Sequence, residues 1–382
     1  MSPSPRIKGW CPGAWRPMAT GDGLLVRVRP PLGELSREQV GALCDAAETF
    51  GSGLIELTSR ANLQLRGVTD ESWPPLMAFL VENQLVSDDP EVERQPQMML
   101  TPGWQNGDDT PTIARLVQAR GSELAAMPGK VGIAIDAGKA PVLCDSAADF
   151  RVERSIEGGL IVRADGYALG TSVSDTEAAV EQMIRLTHWF VDTGGWESGR
   201  MRRHTAPLPD WAPADTAPAP HGEKLALGKH HESMVVGLPF GRVAAEMLRK
   251  VVSQTSISAV QVTPWRRLLL KDCDTLPAVD GLIRHNSDPR LAMDACPGAP
   301  YCEQASVGTQ PLAEKLSGWV EGTVHISGCA KGCARQRPAA LCLTGRDGRF
   351  DVIINGRADS TPQATGLSES EVIRYLESLG AL

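Results

Sequence analysis

Apolar positions in residues 22–66, DGLLVRVRPPLGELSREQVGALCDAAETFGSGLIELTSRANLQLR, fall into three groups divided by turns. An apolar strand reaches a Pro-x-Gly turn at Pro31–Gly33. A helix follows, with Val40, Leu43, Cys44 and Ala47 at i, i+3, i+4 and i+7. Ser36 and Gln39 stand at capping-box spacing before it. A second strand ends in Thr58, an arginine follows at Arg60, and a short third strand closes on Arg66. The same order returns at 233–271, with Pro239–Gly241, a helix face of Ala244, Met247, Leu248 and Val251, then Thr263, Arg266 and Lys271. Each unit is followed by one more expected helix, SWPPLMAFLVENQLV in the first and TLPAVDGLIRHNS in the second. Strand–helix–strand–strand–helix, written twice, predicts two related α+β halves about a pseudo-twofold axis.

Between the repeats, residues 95–200 predict a second α+β segment, with strands at KVGIAIDAG and GLIVRADG and a helix at DTEAAVEQMIRLTHWFVD. His188 falls beside Ile184 and Val191 and is expected to be a packed core histidine. The Pro- and Ala-rich stretch from 205 reads as a linker with no core of its own. The last segment, 291–382, predicts strands near 322–327 and 340–344, a hairpin at Asp347–Gly348 and a capped helix from Ser368 to Leu379. The expected division is 20–90, 91–204, a linker over 205–230, 231–290 and 291–382.

Composition narrows the class. The chain has 382 residues, of which 42% are apolar and 22% charged, as in an ordinary globular protein. A net charge of −8 argues against a general nucleic-acid or membrane binder. No apolar run approaches the roughly 18 residues of a membrane span, and the N-terminus lacks a secretory h-region. A cytoplasmic, monomeric protein is expected. Nine cysteines in such a chain point to metal or redox chemistry before disulfides. Cys44, Cys144, Cys273 and Cys342 read as core residues, and Cys11 as part of a packed loop.

Four cysteines remain. DACPGAPYCEQASVG carries Cys296 and Cys302, and HISGCAKGCARQ carries Cys329 and Cys333. If helical, Cys329 and Cys333 share one face. Gly298, Gly328 and Gly332 clear room for close backbone approach, while Pro297 and Pro300 stiffen the first loop. A four-iron cluster takes four thiolates in such surroundings. Zinc ligand pairs usually stand two to four residues apart, so the five-residue gap between Cys296 and Cys302 suits zinc poorly. Zinc and unrelated core cysteines nonetheless stay open on spacing alone.

With the duplication, the Thr-x-Arg segment and these cysteines, the chain resembles the siroheme nitrite and sulfite reductases over roughly residues 20–375. CPGAWRPMATGDGLLVRVR, DPRLAMDACPGAPYC and HISGCAKGCAR are most similar to the precorrin-3B synthase branch, whereas the reductases typically carry Pro-Asn at Ala330 and Lys331. The resemblance implies ferredoxin-like half-domains with two reductase-type modules. It also implies a [4Fe–4S] cluster on Cys296, Cys302, Cys329 and Cys333, with Cys333 nearest a tetrapyrrole cavity. In this branch that cavity receives precorrin-3A as substrate, and siroheme belongs to the reductases. The implied reaction inserts oxygen from O2 at the ring position linking rings A and D and closes a lactone with a ring-A acetate.

Two departures separate the chain from the reductases. Their Lys-x-Lys pair becomes Lys130 followed by Gly132, and their Arg-Asn-Val run becomes RQPQMMLTPG. A carboxylate-rich tetrapyrrole needs fixed cations and hydrogen-bond donors. The candidates are Arg27, Arg29, Arg60, Arg66 and Lys130, with Asn62 and Gln64 as neutral partners. Arg266, Arg267, Lys271, Lys331 and Arg335 are secondary, and His325 reads as a strand residue or a neighbour of the cluster. The branch also implies a mononuclear non-haem iron, for which no two-histidine-one-carboxylate signature is visible. Electrons are expected from reduced nicotinamide (NADH) through a partner protein, because no Gly-x-Gly-x-x-Gly fingerprint marks a Rossmann domain here. The alternatives are a siroheme-dependent nitrite or sulfite reductase and a non-catalytic tetrapyrrole or cluster carrier.

Overall fold

The computed structural model describes residues 10–254, 256–276 and 278–380. Among these residues lie four five-stranded sheets. The first runs Met18–Thr20, Gly23–Val28, Leu63–Val68, Leu54–Leu57 and Arg242–Ala244, and the second runs Gly228–His230, Ser233–Gly237, Arg267–Leu270, Ala259–Val262 and Glu34–Ser36. All these pairs are antiparallel. Each half lends its short post-turn strand to the other half's sheet. Arg242 pairs with Glu56 in one sheet, and Glu34 pairs with Gln261 in the other. The helices that follow, Arg37–Phe50 and Ala245–Ser253, pack on each other, with Arg249 reaching Asp45 and Glu48. Val26, Leu43 and Leu65 from the first half and Val236, Leu248 and Leu270 from the second belong to one continuous core.

The exchange depends on a sharp corner. In both Pro-x-Gly turns the middle residue, Leu32 or Phe240, has φ +53°, a left-handed value that non-glycine residues rarely adopt. The strand beyond is thereby turned away from its own sheet. Short stretches of three residues carry too little periodicity to foretell this.

The third sheet follows chain order: Gln97–Leu100, Gly132–Asp136, Phe150–Arg154, Leu160–Ala164 and Thr171–Val173. The fourth does the same: Met293–Ala295, Val324–Ser327, Ala339–Arg346, Arg349–Gly356 and Ala364–Leu367. In each, the first three strands are parallel and the last two turn antiparallel. The duplication therefore includes these modules, giving the α+β, pseudo-twofold fold expected from the sequence. No helix among the described residues is long and apolar enough to cross a membrane.

Several local expectations fail. The helix Trp73–Glu82 forms, but its expected counterpart over 275–287 is absent in the described residues there. Gly281 has φ +86°, and Ile283 instead bridges to Gly237. Within Thr176–Asp192 the buried stripe takes Thr187, while His188 is exposed and bonds the Glu123 carbonyl at 2.8 Å. Ala244 is the exposed cap of its helix, and Ala245 takes the buried place. Cys144 lies half-buried in a loop, whereas Cys44, Cys273 and Cys342 are buried. The Pro- and Ala-rich stretch lies along the third sheet's edge through bridges Ser155–Pro218 and Gly170–Thr216, burying Ala212 and Ala219.

Candidate functional site

The cysteine loops spring from the ends of two parallel strands in the fourth sheet. Cys296 follows Met293–Ala295, and Cys329 follows Val324–Ser327. Residues 328–337 form turns and bends, so the condition under which Cys329 and Cys333 would share a helix face is not met. Gly332, at φ +62°, breaks any α-helical run between Cys329 and Cys333. All four cysteines are free thiols. Gly328 N–H donates to Cys296 Sγ at 3.2 Å, and Gly298 N–H also faces that sulfur. The Lys331 N–H faces Cys329. Ala299 N–H to Val307 O (2.8 Å), Cys302 N–H to Gly298 O (2.9 Å) and Ser306 N–H to Gly328 O (3.0 Å) tie the loops together.

Glycine is required at two points here. A Cβ on Gly328 would stand 2.5 Å from Ala305 Cβ, and one on Gly298 would stand 2.7 Å from Thr309 Oγ1.

The four thiols lie near enough to act on one another's charge. Cys333 sits in an exposed turn, yet the protein packed around its thiol pushes it up to about 11, and the nearby Cys296, Cys329 and Cys302 add to the rise against Lys331. Burial likewise raises Cys296 and Cys329, opposed by the N–H groups facing them. Among the described residues no three His, Cys, Asp or Glu side chains stand close enough to hold a single metal ion between them. Four free thiols with backbone N–H groups aimed at sulfur, in a cradle that admits no extra Cβ, suit a cubane cluster.

Cys296 and Cys333 line a cavity of about 400 Å3, together with Arg27, Gln64, Glu56 and Arg266. Arg27 and Gln64 are directly paired across neighbouring strands, and Gln64 is paired in turn with Glu56. A further cavity of about 800 Å3 lies between residues 10–16, Arg29, Gln97 and the 127–131 loop. Arg27, Arg29 and Arg60 lie close enough to repel one another, with Cys11 against Arg27 and near the other two. Burial holds all three guanidinium groups below their ordinary value, with Arg29 and Arg60 adding to the fall at Arg27, Arg60 at Arg29, and Arg200 at Arg60. Glu93 partly offsets Arg29 and Asp149 partly offsets Arg60, while the groups acting most strongly on Arg27 include no carboxylate.

The other expected residues disperse. Arg60 donates to the Lys130 carbonyl at 2.9 Å, which brings those two segments together. Asn62 lines a different cavity from Gln64. Arg66 is 3% exposed and bonds Asp22 (2.6 Å), Glu56 (3.2 Å) and the Tyr301 carbonyl (2.5 Å). Its charge therefore holds the Cys302 loop on the first half-domain. Arg266 and Arg335 both pair with Asp294, at 3.3 and 3.0 Å. Lys271 pairs with Glu34. His325 is wholly buried, lies 3.5 Å from Cys342 Sγ, and is pushed down to about 4 by burial, so it is a neutral strand residue.

Sequence reasoning missed Asp22, Glu56, Arg242, Asp294 and Tyr301. Arg242 binds Glu56 at 2.6 Å and stacks over the Tyr301 ring at 4.3 Å. The visible signal was an acid inside an apolar strand, as in LIEL and AMDA.

Residues 16–83 match the nitrite/sulfite reductase ferredoxin-like half domain. Over 395 aligned residues the chain is 31% identical to a precorrin-3B synthase from Sinorhizobium sp, spanning 94% of this chain and 85% of that one. The chain belongs to the precorrin-3B synthase family. As a member of this family it is an enzyme, and its kinship reaches into the nitrite and sulfite reductases. It is 24% identical to a ferredoxin–nitrite reductase from Synechococcus elongatus, over 92% of this chain and 83% of that one. The solved structure of Mycobacterium tuberculosis NirA covers 93% of the chain, and the chain covers 79% of it, at TM-score 0.62 and 19% identity, a likeness of fold.

Proposed function

We infer that the protein is an oxygen-dependent oxidoreductase that converts precorrin-3A to the hydroxylactone precorrin-3B on the aerobic route to cobalamin. One observation carries this reading: Cys296 and Cys333 share a cavity with Arg27 and Gln64. Groups suited to an iron–sulfur cluster and groups suited to a carboxylate thus face one space. The family relationship supplies the substrate class.

Ground-state O2 reacts slowly with closed-shell organic molecules, so the step needs a source of single electrons. A [4Fe–4S] cluster, when bound, supplies them at a potential set by burial and N–H···S bonds. Cys296, Cys302, Cys329 and Cys333 would hold it, and the N–H groups of Gly298, Gly328 and Lys331 would lower the charge on sulfur. Arg27, with Gln64 beside it, would take one peripheral carboxylate of the macrocycle. Arg29 would take another in the cavity of about 800 Å3, whose 127–131 wall Arg60 ties down through the Lys130 carbonyl. Fixed guanidinium groups hold the reacting ring edge in one orientation, which is the protein's main catalytic contribution. Arg66 serves by seating the Cys302 loop. The electrons would come from NADH through a donor protein, and a mononuclear iron remains part of the proposal without assigned ligands.

A siroheme-dependent nitrite or sulfite reductase is the competing reading, favoured by the reductase fold. The loss of the second lysine of Lys-x-Lys and of the Arg-Asn-Val arginine counts against it. Purification without oxygen, followed by pigment extraction, separates the two. Iron and sulfide without siroheme, and turnover of precorrin-3A under O2, are expected. Stoichiometric siroheme with nitrite or sulfite turnover would overturn the reading.

A further inference from the structure

The duplication makes two cavities, and only one of them holds thiols. Across the pseudo-twofold axis Leu32 occupies the place of Phe240, since both sit at φ +53° in their turns. Gln261 occupies the place of Glu56, because each pairs with the strand lent by the other half. Ala61, at φ +54°, stands for Arg266, at φ +61°. The matching strand registers, Gln97 on Gly132 and Met293 on Val324, then set Met98 and Leu100 in the places of Asp294 and Cys296. These substitutes line a cavity of about 520 Å3. The charged and thiol groups of the first cavity have become apolar or amide groups in the second, and the space has stayed open.

Two buried donors, on residues that line it, lack acceptors. Asn62 is 2% exposed, and its Nδ2 has no partner. Its orientation is fixed, because Gln97 Nε2 donates both to the Arg60 carbonyl (2.6 Å) and to Asn62 Oδ1 (2.9 Å). Arg29, whose Nε is also unpartnered, lines the same cavity. Of the carboxylates there, Glu93 is taken up by the N–H groups of Ala14 and Trp15, and Asp88 lies exposed at the mouth. Buried donors without acceptors are rare in folded proteins and mark a place where a water or a ligand acceptor can bind. The size falls in the range of small-molecule sites, with apolar walls and a few aligned polar groups.

We propose that this second cavity binds an apolar ring or chain ending in a single carboxylate, held by Asn62 Nδ2 and Arg29. The site is separate from the cysteine cavity, but it borders the cavity of about 800 Å3 and shares Arg29 and Gln97 with it, so its ligand would compete for Arg29 with the proposed macrocycle. Isothermal titration of the full-length, cluster-loaded protein with 2-naphthoate tests it, with naphthalene-2-methanol as the uncharged comparison. The acid is expected to bind at one site per chain, about tenfold or more tighter than the alcohol, as a charge-assisted hydrogen bond implies. Asn62→Leu should shrink that preference, and Val86→Trp, placed at the half-buried wall, should abolish binding. Arg27→Ala should leave it unchanged, because Arg27 lines only the cysteine cavity among the two. Absence of binding to the wild type, equal affinity for acid and alcohol, or loss in Arg27→Ala with retention in Val86→Trp would each overturn the proposal. Should Asn62→Leu fail to fold, the acid–alcohol comparison and Val86→Trp decide it.

Discussion

Replacing Glu56 by Gln should loosen the contact between the two halves and the cysteine loop together. Glu56 Oε1 accepts from Arg242 Nε (3.0 Å) and Nη2 (2.6 Å), and its Oε2 accepts from Arg66 Nη1 (3.2 Å). Arg66 in turn holds Asp22 and the Tyr301 carbonyl, so two acids and two arginines balance in a nearly dry layer. A glutamine keeps one acceptor but turns an N–H2 toward one guanidinium and leaves a net positive charge. Breaking a buried pair on one side costs about 3–5 kcal/mol. Asp22 and Arg242 retain 14% and 13% exposure, so water can enter and the lower end, about 3 kcal/mol, is expected. At 1.4 kcal/mol per decade, amide exchange governed by opening of this layer should speed up about a hundredfold. Hydrogen-exchange mass spectrometry would read this at the strand Arg242–Ala244 and at Gly21, whose N–H donates to Tyr301 O at 3.2 Å. The double variant Glu56→Gln/Arg242→Gln should cost less than the sum of the singles, since it removes the orphaned charge. Exchange within about threefold of wild type, or strict additivity in the cycle, would refute the clamp.

Other outcomes are equally definite. Cys333→Ala should lose iron, sulfide and activity, while Cys44→Ala, in the helix core, should keep both metal and activity; metal analysis of the two proteins decides the ligand assignment. Gly328→Ala should displace the loop that faces Ala305, destabilising by about 1–3 kcal/mol and accelerating loss of cluster absorbance in air. Asp136 is 1% exposed, and burial raises it from 3.8 to about 6 against the Leu143, Thr101 and Val142 hydrogen bonds. Its folded pKa exceeds the unfolded one, so the native state binds the proton more tightly. Stability should therefore be greatest below about pH 4 for this group and fall by about 3 kcal/mol as pH rises through 6. Asp136→Asn should flatten that fall in denaturant titrations, and an unchanged slope would contradict the assignment.

Much of the fold was legible because duplication repeats its own signals. The Pro-x-Gly turns and the helices behind them recur, and four cysteines grouped in two loops mark the candidate site. The exchanged strands Glu34–Ser36 and Arg242–Ala244 were not legible, since three residues carry no period and their partners lie about two hundred positions away. The repeat also matches with a shift: Arg266 corresponds to Ala61, and the residue facing Arg60 is Trp265. Binding roles assigned to neighbouring residues of one segment proved the least certain guide. Gln64 opens on the cysteine cavity, Asn62 on another, and Arg66 on two carboxylates, because strand ends and twist divide residues that spacing alone would group.

The measurement that tests the central claim most directly is a turnover of cluster-loaded protein with precorrin-3A, a reductant and 18O2, followed by mass spectrometry of the tetrapyrrole. The account predicts a product carrying one labelled oxygen atom from the gas, formed by the wild type and absent with Cys333→Ala. Unchanged precorrin-3A, in a protein that retains siroheme and reduces nitrite or sulfite, would contradict it.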